Sequence, residues 1–273
     1  MIGGGTTDKG IPGMANTYGG VAGQRVLVTA GASGIGRAIA DLLIAEGARI
    51  HICDIDEGCL ADYAGAHPAA GATRADVAVE ADVGRLFEAA AASLGGLDAL
   101  VNNAGIAGPT GRIEELDPAD WRRCIDVDLT GPFLCARLAV PMLKAAGGGA
   151  IVNISSVAGK YGYPFRSPYA SAKYGVIGLT ETLAKELGPA NIRVNAVLPG
   201  LVKGPRIEAV IRARAAETGV SYEEAEAGYL EHVSLGRMVE ADDVAAMILF
   251  LLSNAGRNVS GQSIAVDANV ETL

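Results

Sequence analysis

Residues 25–54, RVLVTAGASGIGRAIADLLIAEGARIHICD, decide how the chain folds. Arg25–Thr29 is a compact apolar run, a helix is expected over about Gly34–Glu46, and Ala48–Cys53 returns as a second apolar run ending on Asp54. Both runs are apolar at successive positions, as in strands covered on both faces. Two such strands joined through a helix make a parallel pair. The turn between strand and helix is rich in glycine, which lets backbone approach a pyrophosphate while the helix start offers amide donors and the positive end of its dipole. Asp54 lies eighteen residues beyond Gly36. A carboxylate at that strand end can accept both hydroxyls of an adenosine ribose and repels a 2′-phosphate. Either feature alone can be plain, a tight turn or a solvated aspartate; their positions favour dinucleotide binding.

The alternation continues along the chain. A short helix leads to a strand near Ala72–Ala75, then a helix over about Val79–Leu94 and a strand at Ala99–Asn102. Pro118–Ala146 contains a long helix, followed by strand Ala150–Ile154, helix Pro168–Leu187, strand Arg193–Val197, helix Ala241–Leu252 and strand Ser263–Val266. This pattern predicts an α/β fold, a single doubly wound parallel sheet with helices on both faces. With no internal linker composition, residues 23–273 are read as one domain. Residues 1–22, rich in Gly, Thr and Pro without periodicity, are read as a flexible extension in which Met14 is an alternative start to Met1. A charged, Ala-rich helical excursion at about 204–235 interrupts the alternation. It is read as a helical lid over the carboxyl ends of the strands, with a solvated helical pair as the plain alternative.

Half of the 273 residues are apolar, enough for a large core, and the formal charge is −9. That balance argues against a nucleic-acid partner and against an anionic membrane surface. The apolar run Val244–Leu252 is too short to span a bilayer. The N-terminus lacks a charged-then-apolar signal pattern. Cys53, Cys59, Cys124 and Cys135 form no CxxC and read as buried thiols in a reducing compartment, so no metal site is expected and the expected location is cytoplasmic.

The chemistry is placed in SVAGKYGYPFRSPYASAK, Ser156–Lys173. Tyr169 and Lys173 stand four apart, on one face of a helix. Ser167 reads as its N-cap and Pro168 as its first residue, which puts Tyr169 in the first turn, where the helix dipole favours a phenolate. The lysine's charge favours it further. Ser156, at the end of an apolar run thirteen residues upstream, can be returned to the tyrosine by the loop. A Tyr-x-x-x-Lys spacing alone arises by chance, and its company decides.

That company resembles the short-chain dehydrogenase/reductase family. The glycine-rich turn, Asp76-Val77, Asn102 to Gly105, Ser156, Tyr169 to Lys173 and Pro199-Gly200 follow the family's order and spacing over about residues 23–268. The resemblance implies a nicotinamide-dependent oxidoreductase with one Rossmann-type domain, usually a homotetramer. It implies catalytic roles for Ser156, Tyr169, Lys173 and, in the place of the family's asparagine, Asp128. It further implies that Gly31, Ser33, Gly34, Ile35, Gly36 and Asp54 bind the cofactor, that Asp76 and Val77 hold its adenine, that Asn103, Ala104 and Gly105 line the cleft, that Pro199, Gly200 and Val202 flank the nicotinamide, and that Lys173 binds the nicotinamide ribose. Three positions depart from the pattern: Ala30 holds the first glycine's place, Asp128 cannot donate a hydrogen bond unless protonated, and Gly204 replaces a threonine that often contacts the nicotinamide amide.

The expected reaction is hydride transfer between NAD(H) and a secondary alcohol or ketone. Tyr169 takes the alcohol proton and Ser156 steadies the substrate oxygen. NAD is expected over NADP because neither Ser33 nor Ile55 offers a basic side chain for a 2′-phosphate. Arg166 and Tyr163, near Tyr169, are the candidate substrate residues, suited to a polar small molecule such as a sugar, polyol or hydroxy acid. The alternatives are a 3-oxoacyl thioester reductase and a dinucleotide-sensing module without turnover.

Overall fold

The computed structural model describes residues 19–273. Among them, strands β1 Arg25–Thr29, β2 Arg49–Asp54, β3 Gly71–Arg74, β4 Ala99–Asn102, β5 Gly149–Ile154, β6 Ile192–Pro199 and β7 Ser263–Val266 form one parallel sheet in the order β3-β2-β1-β4-β5-β6-β7. The chain winds outward from β1 in one direction and resumes at β4 in the other, so the β1–β4 boundary is the switch point where a ligand crevice opens beyond the strand ends. The helices are α1 Gly34–Ala45, α2 Glu57–Ala66, α3 Glu80–Leu94, α4 Pro118–Ile125, α5 Gly131–Ala145, α6 Ser167–Leu187, α7 Pro205–Thr218, α8 Tyr222–Glu231 and α9 Ala241–Leu252.

Alternate residues of each strand feed two cores. Val26 and Val28 pack with Ile39 and Leu43 of α1 and with Val244 and Ile248 of α9. Leu27 belongs to the opposite layer with Leu86 of α3 and Leu143 of α5. Every one of these side chains is fully buried, worth roughly 1.5–3 kcal/mol each by transfer. This two-sided burial is why the strands read as continuous apolar runs.

Three expectations need correction. The packed domain begins before residue 23: Val21 is buried in the first core and the Gly19 carbonyl accepts the Asn254 amide. The rest of the expected flexible extension, residues 1–18, lies outside the described residues. The long helix within 118–146 is broken by a π-helical turn, Asp126–Thr130. Pro132 has no N–H to give the Asp128 carbonyl, and the Gly131 amide reaches back five residues to Asp126 instead. Finally, Cys59 is only half-buried, although Cys53, Cys124 and Cys135 are buried as expected.

Residues 204–235 form α7 and α8. Gly204 stands before α7 at φ +140°, a conformation that favours glycine and explains why no side chain occupies that position. A reciprocal pair of bonds between Ser221 and Glu224 starts α8.

Candidate active site

The glycine turn is shaped by what a Cβ would strike. At Gly31 it would meet Ile52 of β2 at 2.5 Å, and at Gly36 the Ala30 carbonyl at 2.0 Å. At Gly34, φ +53°, it would enter open space, so the N-terminus of α1 faces a cradle that side chains leave clear. Ser33 precedes α1 without its side chain capping any amide, and no acidic residue lies in the helix's first turn. Ala30 takes the left-handed conformation, φ 49°, that a glycine would adopt without cost. The turn is tied to β4 by Asn103, whose side-chain amide donates to the Thr29 and Ala30 carbonyls, while the Thr29 hydroxyl accepts the Asn103 and Ala104 amides. Asn103 therefore spends its donors on the turn. These residues fit a dinucleotide: a clear cradle, an unspent hydroxyl and unopposed helix amides suit its pyrophosphate.

Asp54 ends β2 beside this turn, with one carboxylate oxygen accepting the Ala32 amide at 3.3 Å and the other the Ile55 amide at 2.8 Å. The second oxygen also accepts the Asp56 amide at 3.2 Å, so it is the first that keeps a free lone pair. Arg37, the nearby cation, is held by Asp41 at 2.7 Å and lies over the Tyr63 ring. Asp76 binds the Ala78 amide and Arg123, and Val77 is buried against the helical layer.

On α6, Tyr169 and Lys173 share a face as the spacing predicts, with the ammonium 5.5 Å from the ring centre. The capping expectation needs correction: Arg166 is the N-cap and Ser167 the first helical residue, its hydroxyl buried without a partner. The Lys173 ammonium is buried, donates to the Ile154 carbonyl at 3.1 Å and sits 3.3 Å from Asp128. Asp128 is itself fully buried and accepts from the Ile106 amide and the Cys124 thiol. Burial, then the Asp128 charge, push the Cys124 thiol up to about 12, so it stays a donor. Gly105 makes room for the pair, since a Cβ there would fall 2.4 Å from the carboxylate. The Ser156 hydroxyl accepts the Ala158 amide at 3.1 Å, which leaves its own proton free to donate.

One cavity of about 480 Å³ joins these groups. Ala30, Ser33, Gly34, Ile35, Asn103 and Gly105 line one part; Ser156, Tyr163, Arg166, Tyr169, Lys173, Pro199, Gly200 and Val202 line the rest. Gly31, Gly36, Asp54, Asp76, Val77, Ala104 and Asp128 are not in its wall; they support it or stand beyond it. The excursion supplies part of the wall. Pro205, Arg206, Ile207 and Val210 of α7 line the cavity, Tyr229 of α8 bonds the Tyr163 hydroxyl at 2.9 Å, and Arg214 lies over the Phe165 ring. Sequence reasoning missed the apolar wall residues Ile207 and Val210, which carry no chemical signature. It also missed Ser155, whose hydroxyl holds the Lys173 carbonyl at 2.8 Å and could have been found only by its adjacency to Ser156.

Comparison with known proteins agrees with this architecture. A family model described as enoyl-(acyl carrier protein) reductase matches residues 29–269. The trans-4-hydroxycyclohexanecarboxylate dehydrogenase of Sinomonas cyclohexanicum is 42% identical over 258 residues, 90% of this chain and 92% of that protein. Among solved structures, levodione reductase superposes with a TM-score of 0.84 at 33% identity, covering 90% of this chain and 97% of that one. The 3-ketoacyl-(acyl-carrier-protein) reductase from Brucella melitensis, complexed with NADH, gives 0.82 at 30% identity, covering 91% and 98%. With the fold, the motifs and these relatives in agreement, the chain belongs to the short-chain dehydrogenase/reductase family, as an oxidoreductase that uses a nicotinamide dinucleotide on secondary alcohols and ketones.

Proposed function

We propose that the cofactor is NAD(H), that Tyr169 exchanges the substrate proton, and that the substrate is an alicyclic secondary alcohol or its ketone. The reading rests above all on one observation: Ser156, Tyr169 and Lys173 line the same cavity as the open glycine turn. The bound nicotinamide would accept or supply the hydride; the protein supplies position and charge. In oxidation Tyr169, as phenolate, takes the alcohol proton. The buried Lys173 ammonium stabilises that anion by its charge. Ser156, oriented by the Ala158 amide, donates its hydroxyl to the substrate oxygen. Asp128 holds Lys173 in place and forms the inner end of the proton path.

NAD is supported over NADP by the Asp54 carboxylate beside the turn and by Arg37, which Asp41 and Tyr63 already engage. The ring alcohol is supported by the name of the Sinomonas relative. Helices α7 and α8 act as a lid, latched by Tyr163 and Tyr229. The molecule assembles as a homo-oligomer, a tetramer on family grounds, and the half-exposed Phe133 of α5 and Tyr174 of α6 suit a covered face. A tetramer mass by light scattering is expected, and a monomer overturns it. No described helix is long and apolar enough to cross a membrane, and the proposed location is cytoplasmic.

The reaction is tested by incubating the protein with cyclohexanols, a 3-oxoacyl thioester, and NAD(H) or NADP(H), followed at the absorbance of the reduced nicotinamide. NADH formed from a cyclohexanol is expected. Faster thioester reduction, tighter NADPH than NADH, or cofactor binding without any turnover would each refute the corresponding part.

A further inference from the structure

We infer that Arg166 is the anion end of the substrate subsite, so that the alcohol oxidised by this enzyme also carries a carboxylate. This rests on the proposed reaction and adds the substrate class. Arg166 is 3% exposed, a depth at which an arginine is ordinarily paired. The terminal nitrogen Nη2 donates to the Ala107 carbonyl, while Nε and Nη1 have no hydrogen-bond partner among the described residues. The two lie on different sides of the guanidinium, because each shares an edge with the bonded Nη2. A carboxylate is therefore met through a single charge-assisted bond, with the end-facing Nη1 as the donor left for it. The guanidinium lies 5.2 Å from the centres of both the Tyr163 and Tyr169 rings and lines the cavity. These contacts come from the loop after β4, the segment before α6 and the first turn of α6, and none of them comes from the glycine turn suited to a pyrophosphate.

The charge of the wall points the same way. Among the described residues Arg166, Lys173, Lys203 and Arg206 line the cavity and no aspartate or glutamate does, in a chain of net charge −9. Lys173 is matched by Asp128 and Lys203 by Glu240. Arg206 donates to the Gly105 carbonyl and lies 5.9 Å from the Tyr169 ring centre, on the same tyrosine as Arg166. A carboxylate on Arg166 would satisfy a buried donor and orient the alcohol carbon toward Tyr169. Phe165, held at φ +66°, fixes the backbone that presents the arginine.

The test compares 4-hydroxycyclohexanecarboxylate with its uncharged primary amide. In the natural protein kcat/KM is expected to favour the acid by roughly 10- to 100-fold, the range of a charge-assisted hydrogen bond. That ratio should fall to within about threefold in Arg166→Gln and lie between in Arg166→Lys, which keeps the charge without the planar fork. Because Arg166 also braces Tyr169, the ratio of the two substrates is the readout, whatever the absolute rates. Equal use of acid and amide by the natural protein overturns the proposal even if neither variant folds, and so does a ratio that survives Arg166→Gln. In parallel, cyclohexanecarboxylate, which has no hydroxyl to oxidise, is titrated into the NADH-loaded protein with NADH fluorescence as the signal. Binding that beats the corresponding amide and is lost in Arg166→Gln supports the subsite even where no alcohol is oxidised, an outcome that would refute only the reaction. Oxidation of cyclohexanol without any preference for the acid would do the reverse.

Discussion

Tyr169 is half-buried, with three cations around its ring and its hydroxyl free of any protein partner among the described side-chain bonds. Removing that hydroxyl removes the proposed proton acceptor and little else. Tyr169→Phe is therefore expected to lower kcat by about 10³-fold or more, on the scale of general acid–base catalysis, with NADH affinity nearly unchanged by fluorescence titration. A variant retaining most of the rate would show that another group carries the proton. Ala30 poses a separate question of strain. Held at φ 49°, it bears a left-handed penalty that glycine escapes, so Ala30→Gly should raise stability by about 1 kcal/mol. Denaturant melts at constant m-value measure this, and a loss of stability would mean that the alanine methyl packs usefully in the turn. The sequence showed Ala30 as a departure. Only the backbone angle reveals the departure as a cost.

Between α4 and α5 the π-helical turn decides where the Asp128 side chain lies. A long helix within 118–146 was the expectation, and the structure places it at Gly131–Ala145, after the π-helical turn. The turn sets Asp128 within 3.3 Å of Lys173 on α6, across a gap that Gly105 keeps open. A buried ion pair contributes little over an apolar substitute, yet removing one partner strands the other. Asp128→Ala is thus expected to destabilise the fold by about 3 kcal/mol by leaving the buried Lys173 short of a counter-charge. Asp128→Asn, which keeps an acceptor for the Ile106 amide, should be milder. Thermal melts of both variants check this, and equal stability of the alanine variant and the natural protein would show that the pair is not needed for folding. Helix and strand positions were legible in the sequence because packing on two faces writes itself into apolar spacing. The π-helical turn was not, since it depends on which hydrogen bonds a proline denies.

For the whole molecule, acid stability follows from a group far from the site. His51 on β2 is buried, bonded through both ring nitrogens to Ser93 and Thr73, and burial lowers its pKa from 6.5 to about 4. In the window between those values the unfolded chain binds a proton that the folded one refuses, so stability rises with pH there. The contribution is intact above pH 6.5 and is lost as pH falls toward 4, at a cost of about 3 kcal/mol from this residue. His51→Gln should flatten the fall in melting temperature between pH 7 and 4.5. If the variant and the natural protein lose stability in parallel, His51 is not the cause.

Seen at this scale, the sequence by itself determined the doubly wound parallel sheet and the helix that carries Tyr169 and Lys173 on one face. Strand burial, glycine placement and helical spacing are local properties that neighbouring residues express. The tertiary structure alone decided that Asp128 faces Lys173, that Asn103 serves the turn, that α7 lines the cavity, and that Arg166 is buried with two nitrogens unmatched. Each depends on segments distant in the chain arriving at one place. The same holds for the opening stretch, Arg25–Asp54: its spacing predicts strand, turn, helix and strand. Only the packing of Gly31 on Ile52 and of Gly36 on the Ala30 carbonyl shows which of its glycines make room for protein, while open space at Gly34 shows which leaves room for a ligand.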